Sequence, residues 1–281
     1  MLGHPIGHSI SPQMHNAALA ELARGDARFA GWRYFPFDVE PGRLPEALVL
    51  LRERRFRGVN LTVPHKVLAV GLVPDLDPVA REAGAVNTLV QHRSGWRGFN
   101  TDGHGLAAGI LEDLGLGLRG APVVLLGAGG AARGAAVECL RAGCAALWIM
   151  NRTWANLDTL LKHLAPLAGK VPVGAMAPGR AAAGLQPGAI VINATSAGLR
   201  AGDSAPADLA ALPGIAAVYD MIYNPPETRL LAQARALGLP HANGLGMLVH
   251  QGAKALEIWT GIPSSSTAPA MRAAAAKALG Y

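Results

Sequence analysis

The chain has 281 residues, 51% of them hydrophobic and 16% charged, and a formal net charge of +6. That length suits one or two domains with a sizeable core. No apolar run is long enough to cross a membrane, and no basic stretch precedes an apolar one, so neither a membrane helix nor a signal peptide is expected. The positive charge is not gathered into a basic and aromatic stripe. We therefore expect attraction of small anions rather than binding of nucleic acid.

The first hundred residues alternate short apolar runs with amphipathic segments, a pattern typical of α/β folds. Ser11-Pro12 predicts the start of a helix, with Ser11 as the N-cap and proline at the first helical position. Further on, Val59, Leu61 and Val63 should face one side of a strand. We predict a helix over 11–22, a strand over 33–39, a helix over 45–54 and a strand over 58–63.

Positive charge is densest around the end of the second predicted helix, at Arg52, Arg54, Arg55 and Arg57. Charge runs of this kind usually mark a solvated helix end, and we interpret this one in the same way. These guanidinium groups should therefore face solvent and add to the positive field that attracts anionic small molecules.

The rest of the chain continues the α/β pattern. Thr101 or Asp102 should cap a helix that runs to about Leu114. We predict strands over 122–126, 146–150, 188–193 and 216–219, and helices over 245–259 and 268–279. This order favours two domains with a substrate cleft between them. An α/β substrate-binding domain would comprise 1–101 and 245–281, and a Rossmann-type domain would comprise 102–244.

A glycine turn and the end of the next strand predict the cofactor. Gly127-Ala128-Gly129-Gly130-Ala131 follows an apolar strand and opens a helix, which places backbone N–H groups where a pyrophosphate can sit. The next strand ends in Asn151-Arg152-Thr153. An NAD site normally has an acid there, whereas a guanidinium binds the 2′-phosphate of NADP. The chain is predicted to use NADP, although Arg152 alone could equally be a surface residue.

Several polar positions are open to two interpretations. Lys66 follows a buried-looking strand, and an amine can serve as general acid or base, but a lysine on a surface helix is commoner. Asp102 suits a helix cap, and it could also hold an ammonium group and a polyol. Ser9 and Ser11 are candidate caps, and two hydroxyls at a helix N-terminus also suit a carboxylate. Nothing local singles out Asn87.

The histidines and cysteines indicate no metal site. His4, His8 and His15 are close in sequence, but no carboxylate or cysteine completes a ligand set, so we assign them to surface or loop positions. Cys139 and Cys144 have a spacing that suggests neither a metal site nor a disulfide. A reducing, cytoplasmic setting fits this cysteine usage.

A series of short motifs runs in order over nearly the whole chain. No single motif is specific, but the ordered set is. The motifs occupy 3–12, 60–66, 83–88, 100–103, 127–131, 151–153, 193–196, 219–223 and 243–251. Together they resemble the shikimate dehydrogenase family, which implies an α/β substrate-binding domain joined to a Rossmann-type NADP-binding domain.

The resemblance implies reversible, NADP-dependent reduction of 3-dehydroshikimate to shikimate, a step of aromatic amino acid biosynthesis. It implies Lys66 as the acid/base residue and Asp102 as its partner. The substrate-binding residues would be Ser9, Ser11, Asn60, Thr62, Asn87, Tyr223 and Gln251. The cofactor would contact Gly127, Ala128, Gly129, Gly130 and Ala131 at the pyrophosphate, Asn151, Arg152 and Thr153 at the 2′-phosphate, and Thr195, Met221, Gly244 and Met247 at the nicotinamide.

The chain departs from the family pattern at two places. Relatives commonly carry a second basic residue where this chain has Asn156, so a weaker preference for NADP over NAD is expected. Relatives also begin with a short apolar strand, whereas only Met1 and Leu2 precede Gly3. The natural protein is therefore expected to begin several residues upstream.

Three rival functions are weighed against this expectation. A quinate/shikimate dehydrogenase with broader cofactor use would favour an acid at Thr153. A non-catalytic NADP-binding sensor on the same fold would have lost Lys66 or Asp102. An enzyme like methylene-tetrahydrofolate dehydrogenase would need a pterin site, which the serine and aspartate motifs do not suit. The expected partner is a small-molecule substrate, with neither nucleic acid nor membrane, and a homodimer is left open.

Overall fold

The structure is a computed structural model that describes residues 1–177, 184–200 and 202–280. The chain forms two compact units, one of residues 1–105 and 249–281 and the other of residues 106–248. The unit boundaries therefore fall a few residues inside two helices, whereas the sequence-based division placed them where those helices start.

The first unit contains short strands. Strand β1 pairs in parallel with β2, and a bridge from Leu2 to Leu61 continues the pairing toward β3. A second sheet has the order β3-β5-β6-β4, in which only the β4–β6 pair is parallel. The strands are β1 (Leu2–Gly3), β2 (Phe37–Asp38), β3 (Gly58–Asn60), β4 (Asp75–Leu76), β5 (Thr88–His92) and β6 (Gly95–Phe99).

Helices surround these strands. Helix α2 buries Leu44, Leu48 and Leu51, whose spacing places them on one helical face against the core that contains Val59. The helices are α1 (Ser11–Gly25), α2 (Leu44–Glu53), α3 (His65–Leu68), α4 (Pro78–Ala83), α5 (Asp102–Leu114), α9 (Leu245–Thr260) and α10 (Ser264–Leu279), of which α5 and α9 run into the second unit.

Three elements predicted for this unit are present, but with different bounds. The strand expected over 33–39 is only Phe37–Asp38, and the helix expected over 268–279 begins at Ser264. The alternation expected up to Val63 stops early, because regular pairing of β3 ends at Asn60. As a result Val63 is 70% exposed, while Asn60 on the expected polar face is buried and hydrogen-bonded.

The second unit is a doubly wound parallel sheet with the order β12-β11-β10-β7-β8-β9. Counted from β7, this is the Rossmann order, in which ligands bind beyond the carboxyl ends of the strands. Its elements are β7 (Pro122–Leu126), α6 (Gly130–Ala142), β8 (Ala146–Met150), α7 (Trp154–Leu164), β9 (Val173–Ala175), β10 (Ala189–Asn193), β11 (Ile215–Asp220), α8 (Arg229–Ala236) and β12 (His241–Ala242).

The core of this unit lies on both faces of the sheet. Successive residues of β7 alternate between the two sides, so that Val123 and Leu125 join one apolar cluster while Val124 and Leu126 join the other. Fully apolar strands such as β7 are typical of parallel sheets covered on both faces. Within the described ranges, no helix has the length and apolar character needed to cross a membrane.

Candidate functional site

Lys66 and Asp102 form an ion pair in the first unit. Lys66 Nζ donates to Asp102 Oδ2 at 2.7 Å, and the two side chains are 30% and 18% exposed. Lys66 lies on the short helix α3, which is anchored on one side by His65, whose ring nitrogen contacts the carbonyl of Val39 at 2.8 Å. On the other side, the Lys66 carbonyl accepts from Val86 N at 2.7 Å. The amine therefore stands on a backbone held at both ends.

Asn87 connects Asp102 to other polar groups. Its Nδ2 lies 2.9 Å from Asp102 Oδ1 and 3.4 Å from Gln251 Oε1, and its Oδ1 accepts from Thr101 N at 2.9 Å. The Thr101 hydroxyl also donates to the Gln251 carbonyl at 3.0 Å. Four of the predicted residues, Lys66, Asp102, Asn87 and Gln251, are thus brought together. Sequence reasoning from local context had found nothing distinctive about Asn87.

Asn60 lies behind this group and is 6% exposed. Its Nδ2 donates to the Asn87 carbonyl at 3.1 Å and to the Thr88 hydroxyl at 3.0 Å, which uses both amide protons. Its Oδ1 accepts from the hydroxyl of Tyr34 at 2.8 Å. This saturated geometry favours support of the Asn87 backbone over direct hydrogen bonding to a ligand.

The remaining predicted substrate residues are less closely tied to this group. Ser9 is half-buried, and its Oγ accepts from Ser11 N at 3.3 Å. Helix α1 begins at Ser11, and its N-cap residue is Ile10, so the prediction of Ser11 as N-cap is wrong. Thr62 packs against Gly3, where an added Cβ would lie 2.4 Å from the threonine methyl. Tyr223 belongs to the second unit.

The glycine turn of the second unit has the features that a pyrophosphate site needs. Gly127 has a φ of +112°, and an added Cβ there would lie 3.0 Å from the Thr195 methyl group, so that only glycine fits. Helix α6 begins at Gly130 with Gly129 as its cap. Gly129, Gly130 and Ala131 are exposed, so backbone N–H groups at this helix N-terminus face solvent.

The end of β8 fits the adenosine 2′-phosphate of NADP. Asn151 Nδ2 donates to the Thr153 carbonyl at 2.9 Å, which holds the turn between β8 and α7. Arg152 is exposed and forms no ion pair within the described ranges, so its guanidinium is available to an anion. No carboxylate occupies the strand end, where an acid would repel a phosphate.

The residues predicted to line the nicotinamide lie at the carboxyl edge of the same sheet. Thr195 follows β10, and its N–H and hydroxyl donate to Asn193 Oδ1 at 3.0 and 2.7 Å. An added Cβ on Gly244 would lie 2.2 Å from the Met221 carbonyl oxygen, so these backbones are in close contact. Met247 N donates to the hydroxyl of Tyr219 at 2.9 Å. The four residues predicted to line the nicotinamide therefore belong to segments that are held by contacts within this unit.

Family models match both ends of the chain. The shikimate dehydrogenase substrate binding domain matches residues 1–89, and the shikimate 5′-dehydrogenase C-terminal domain matches residues 244–275. The shikimate dehydrogenase (NADP(+)) of Symbiobacterium thermophilum is 43% identical over 265 residues, covering 93% of this chain and 88% of its own. The chain belongs to the shikimate dehydrogenase family.

Solved structures agree with this family assignment. Shikimate 5-dehydrogenase from Thermus thermophilus, in complex with NADP(H) and shikimate, is 37% identical with a TM-score of 0.82, covering 97% of each chain. A 5-ketofructose reductase of Gluconobacter is 33% identical with a TM-score of 0.81, covering 97% of this chain and 96% of its own. The fold therefore hosts more than one enzyme, and the polar groups of the site must determine the choice of substrate.

Sequence reasoning missed several groups that support the site of this family member. Asp220 is fully buried at the end of β11 and accepts from Asn193 Nδ2 at 2.9 Å and the Thr228 hydroxyl at 2.6 Å. Burial raises the pKa of its carboxyl, although these hydrogen bonds favour the charged form. The sequence signal for these groups was a polar residue at the carboxyl end of each of two apolar strands, Asn193 on β10 and Asp220 on β11.

The surface assignment of His15 is wrong. His15 is 1% exposed, its ring stacks on Tyr34 with centroids 4.1 Å apart, and Nδ1 lies 2.9 Å from the Ser11 carbonyl oxygen. Burial lowers the pKa of this histidine to about 4. Helical spacing was the missed signal, since His15 shares the buried face of α1 with Ala18 and Leu19.

Proposed function

We propose that the protein is an NADP-dependent shikimate dehydrogenase. It reduces 3-dehydroshikimate to shikimate, and catalyses the reverse reaction, in aromatic amino acid biosynthesis. The observation that carries the proposal is the half-buried contact of 2.7 Å between Lys66 Nζ and Asp102 Oδ2. A ketone reduction needs one proton at the carbonyl oxygen, and a positioned ammonium group can supply it.

The roles of Lys66 and Asp102 follow from their chemistry. Lys66 donates the proton to the substrate oxygen during reduction and accepts it during oxidation. Asp102 holds the ammonium group in place through Oδ2, while Asn87 fixes Oδ1 of the same carboxylate at 2.9 Å. Because both carboxylate oxygens are engaged, the ammonium group meets a fixed partner rather than a mobile one.

The substrate is a small anion with several hydroxyl groups, and the other predicted residues suit its parts. Ser9 and Ser11 hold the carboxylate. Thr62, Asn87 and Gln251 bind hydroxyl groups and the ring. We assign Asn60 to the support of Asn87, since both protons of its amide are already donated within the protein.

The second unit holds the cofactor. Gly127, Ala128, Gly129, Gly130 and Ala131 bind the pyrophosphate, and Asn151, Arg152 and Thr153 bind the 2′-phosphate. Thr195, Met221, Gly244 and Met247 line the nicotinamide. When bound, NADPH supplies the hydride that the reduction requires. The exposed N–H groups of the turn and the unpaired Arg152 among the described residues support these assignments.

One assay tests the proposal. The purified protein is incubated with NADP⁺ and either shikimate or quinate, and NADPH formation is followed by absorbance. We expect turnover with shikimate at least tenfold above quinate. Comparable rates would instead indicate a quinate/shikimate dehydrogenase, and NADP⁺ binding without turnover of either compound would indicate a sensor.

We also place the protein in the cytoplasm. Cys139 and Cys144 are buried and unpaired, which agrees with a reducing compartment. The homodimer left open by the sequence stays a prediction, and light scattering of the purified protein would test it.

A further inference from the structure

A cavity of about 350 Å³ lies in the first unit, and neither Lys66 nor Asp102 lines it. Its walls are rich in aromatic rings and in arginines. The aromatic residues are Trp32, Tyr34, Phe35, Phe56 and Trp259. This volume lies in the range of small-molecule sites, which are mostly apolar with a few placed polar groups.

Four arginines line the same cavity, and no acidic residue does. Arg33 donates to the carbonyls of Ala30 and Trp32 at 3.1 and 2.7 Å. The other three, Arg54, Arg55 and Arg57, have no ion pair or side-chain hydrogen bond within the described ranges. The charge pattern predicts solvent-facing side chains for these three, and all three are exposed. They also line the aromatic cavity, where a guanidinium can stack on a ring or bind a carboxylate through two hydrogen bonds.

Arg55 occupies a backbone position that normally favours glycine. Helix α2 ends in a Schellman motif, in which Arg55 N donates to the Arg52 carbonyl at 3.0 Å and Phe56 N to the Leu51 carbonyl at 3.0 Å. Arg55 has a φ of +58° and is the only non-glycine residue with positive φ in the described part of the chain. Glycine would adopt this backbone conformation with less strain, so the presence of arginine indicates a role for its side chain.

Two aromatic side chains of this cavity are held in place by hydrogen bonds and close packing. Trp259 Nε1 donates to the Leu89 carbonyl at 2.9 Å, and its indole lies over Gly58, where an added Cβ would be 2.0 Å from the ring nitrogen. Tyr34 is held by its hydroxyl contact to Asn60 and by backbone N–H and carbonyl contacts to the amide of Asn16. A ligand would therefore meet preformed aromatic walls, which lowers the entropic cost of binding.

We propose that this cavity binds a small planar aromatic carboxylate. The rings supply stacking surfaces, and the unpaired arginines supply positive charge and paired N–H donors for the carboxylate. The charge of the lining suits an anion, because four guanidinium groups and no carboxylate line the cavity. The site is separate from the proposed catalytic group, and its existence does not depend on the proposed function.

The probe for this site is 2-naphthoate, with uncharged 2-naphthamide as its matched control. Binding to the full chain is measured by calorimetry with and without saturating shikimate. The binding position is mapped on the indole N–H signals of the five tryptophans. We expect 2-naphthoate to bind at least tenfold more tightly than 2-naphthamide, and shikimate should not change its affinity. Its binding should shift the indole N–H signals of Trp32 and Trp259.

Arg55→Gly separates binding from folding. Glycine adopts positive φ without steric cost, so the variant should melt at the same temperature or higher. Loss of the guanidinium should weaken 2-naphthoate at least about tenfold, the size expected for a charged hydrogen bond. Arg52→Ala is the matched control, because Arg52 lies in the last turn of α2, shortly before Arg55, but outside this cavity, and it should change the affinity less than about twofold.

Three outcomes would overturn the proposal. The first is equal affinity of Arg55→Gly and the native chain for 2-naphthoate. The second is displacement of 2-naphthoate by shikimate, which would place the probe in the other site. The third is failure of 2-naphthoate to bind while light scattering shows a mass that rises with concentration, since a second copy of the chain would then fill the cavity.

Discussion

The two units hold their polar residues in opposite ways. In the first unit, Asn60, Asn87 and Asp102 are joined in a hydrogen-bonded group with little solvent access. In the second unit, Gly129 and Arg152 at the predicted cofactor contacts are exposed. Proton transfer demands a fixed geometry around one atom, whereas a large anionic cofactor needs open N–H groups and free charge. The contrast indicates that damage to the first unit should reduce the rate, and damage to the second should reduce cofactor affinity.

The largest expected effect is that of Lys66→Ala. The change removes the only ammonium group paired with Asp102 in the described structure, so kcat should fall about 10²–10⁴-fold, the usual size of general acid/base assistance. The KM for shikimate should change much less, because the hydroxyl- and carboxylate-binding groups remain. Steady-state kinetics of NADP⁺ reduction provides the measurement.

Two further variants test this assignment. Lys162→Ala removes an exposed lysine that pairs with Asp158 at 2.7 Å, and it should leave kcat unchanged. Asp102→Asn should also slow turnover, and a thermal melt separates that loss from a loss of stability. A near-normal kcat in Lys66→Ala would mean that Lys66 is not the acid/base residue.

The second prediction concerns acid stability of the first unit. Burial lowers the pKa of His15 from an ordinary 6.5 to about 4. Between these two pH values the His15 ring is therefore protonated in the unfolded chain and neutral in the folded chain. Stability should therefore fall as the pH drops from about 6.5 to about 4, by about 3 kcal/mol from this group. Below pH 4 this group should cause no further loss.

The measurement is urea unfolding between pH 4 and pH 7. His15→Phe keeps a ring against Tyr34 but cannot take up a proton, so its free energy of unfolding should depend less on pH by about 3 kcal/mol over this range. His8→Phe, at an exposed position, is the control and should keep the native slope. Parallel curves for the native chain and His15→Phe would show that His15 does not govern the acid response.

The third prediction tests the open character of the second unit. Arg152→Ala should weaken NADP⁺ by about one to two decades, the cost of losing a charged hydrogen bond of about 1.5–3 kcal/mol. NAD⁺ lacks the phosphate and should be affected little. Because Asn156, shortly after Arg152, adds no second positive charge, the native chain should also show measurable activity with NAD⁺.

Titration of each cofactor by fluorescence, supported by KM values, gives the required ratio. Arg119→Ala, a change at another exposed position of the same unit, should leave both affinities as they are. Equal losses for NADP⁺ and NAD⁺ in Arg152→Ala would mean that the guanidinium does not recognise the phosphate.

The sequence predicted the central strands of the second unit better than the strands of the first, for a physical reason. Strands such as β7 and β8 are apolar along their whole length because both faces are covered, so the predicted bounds 122–126 and 146–150 equal the observed ones. Strands of the first unit are as short as two residues and depend on long-range pairing, as Leu2 does with Phe37. A two-residue strand such as Phe37–Asp38 leaves no periodic signal to find.

The candidate site followed the same division. The glycine turn and Arg152 could be found because their chemistry is local to one strand–turn–helix segment. The partners of Asn87 could not, since Gln251 lies 164 positions away along the chain. His15 was misplaced because a histidine on a buried face is satisfied by neighbours, here the Ser11 carbonyl and the Tyr34 ring, that only the fold brings together.

The smallest expected effect comes from Tyr34→Phe. This change removes the hydroxyl that donates to Asn60 Oδ1 at 2.8 Å and keeps the ring that stacks on His15. A buried, neutral hydrogen bond contributes about 0.5–1.5 kcal/mol, so the free energy of unfolding should fall by about 1 kcal/mol. The rate should hardly change, because Asn60 still donates to the Asn87 carbonyl and Asn87 still holds Asp102.

Urea unfolding and steady-state kinetics together decide how far the hydrogen-bonded group of the first unit extends. We expect kcat of Tyr34→Phe within about threefold of the native value, since the remaining bonds to Asn60 fix its amide. Asn60→Ala removes those bonds as well and should lower kcat further, because the Asn87 carbonyl then loses its Nδ2 donor. If Tyr34→Phe instead lowered kcat as far as Asn60→Ala, the tyrosine hydroxyl would be needed to position Asp102. The hydrogen-bonded group that positions Asp102 would then extend to the aromatic cavity, which Tyr34 also lines.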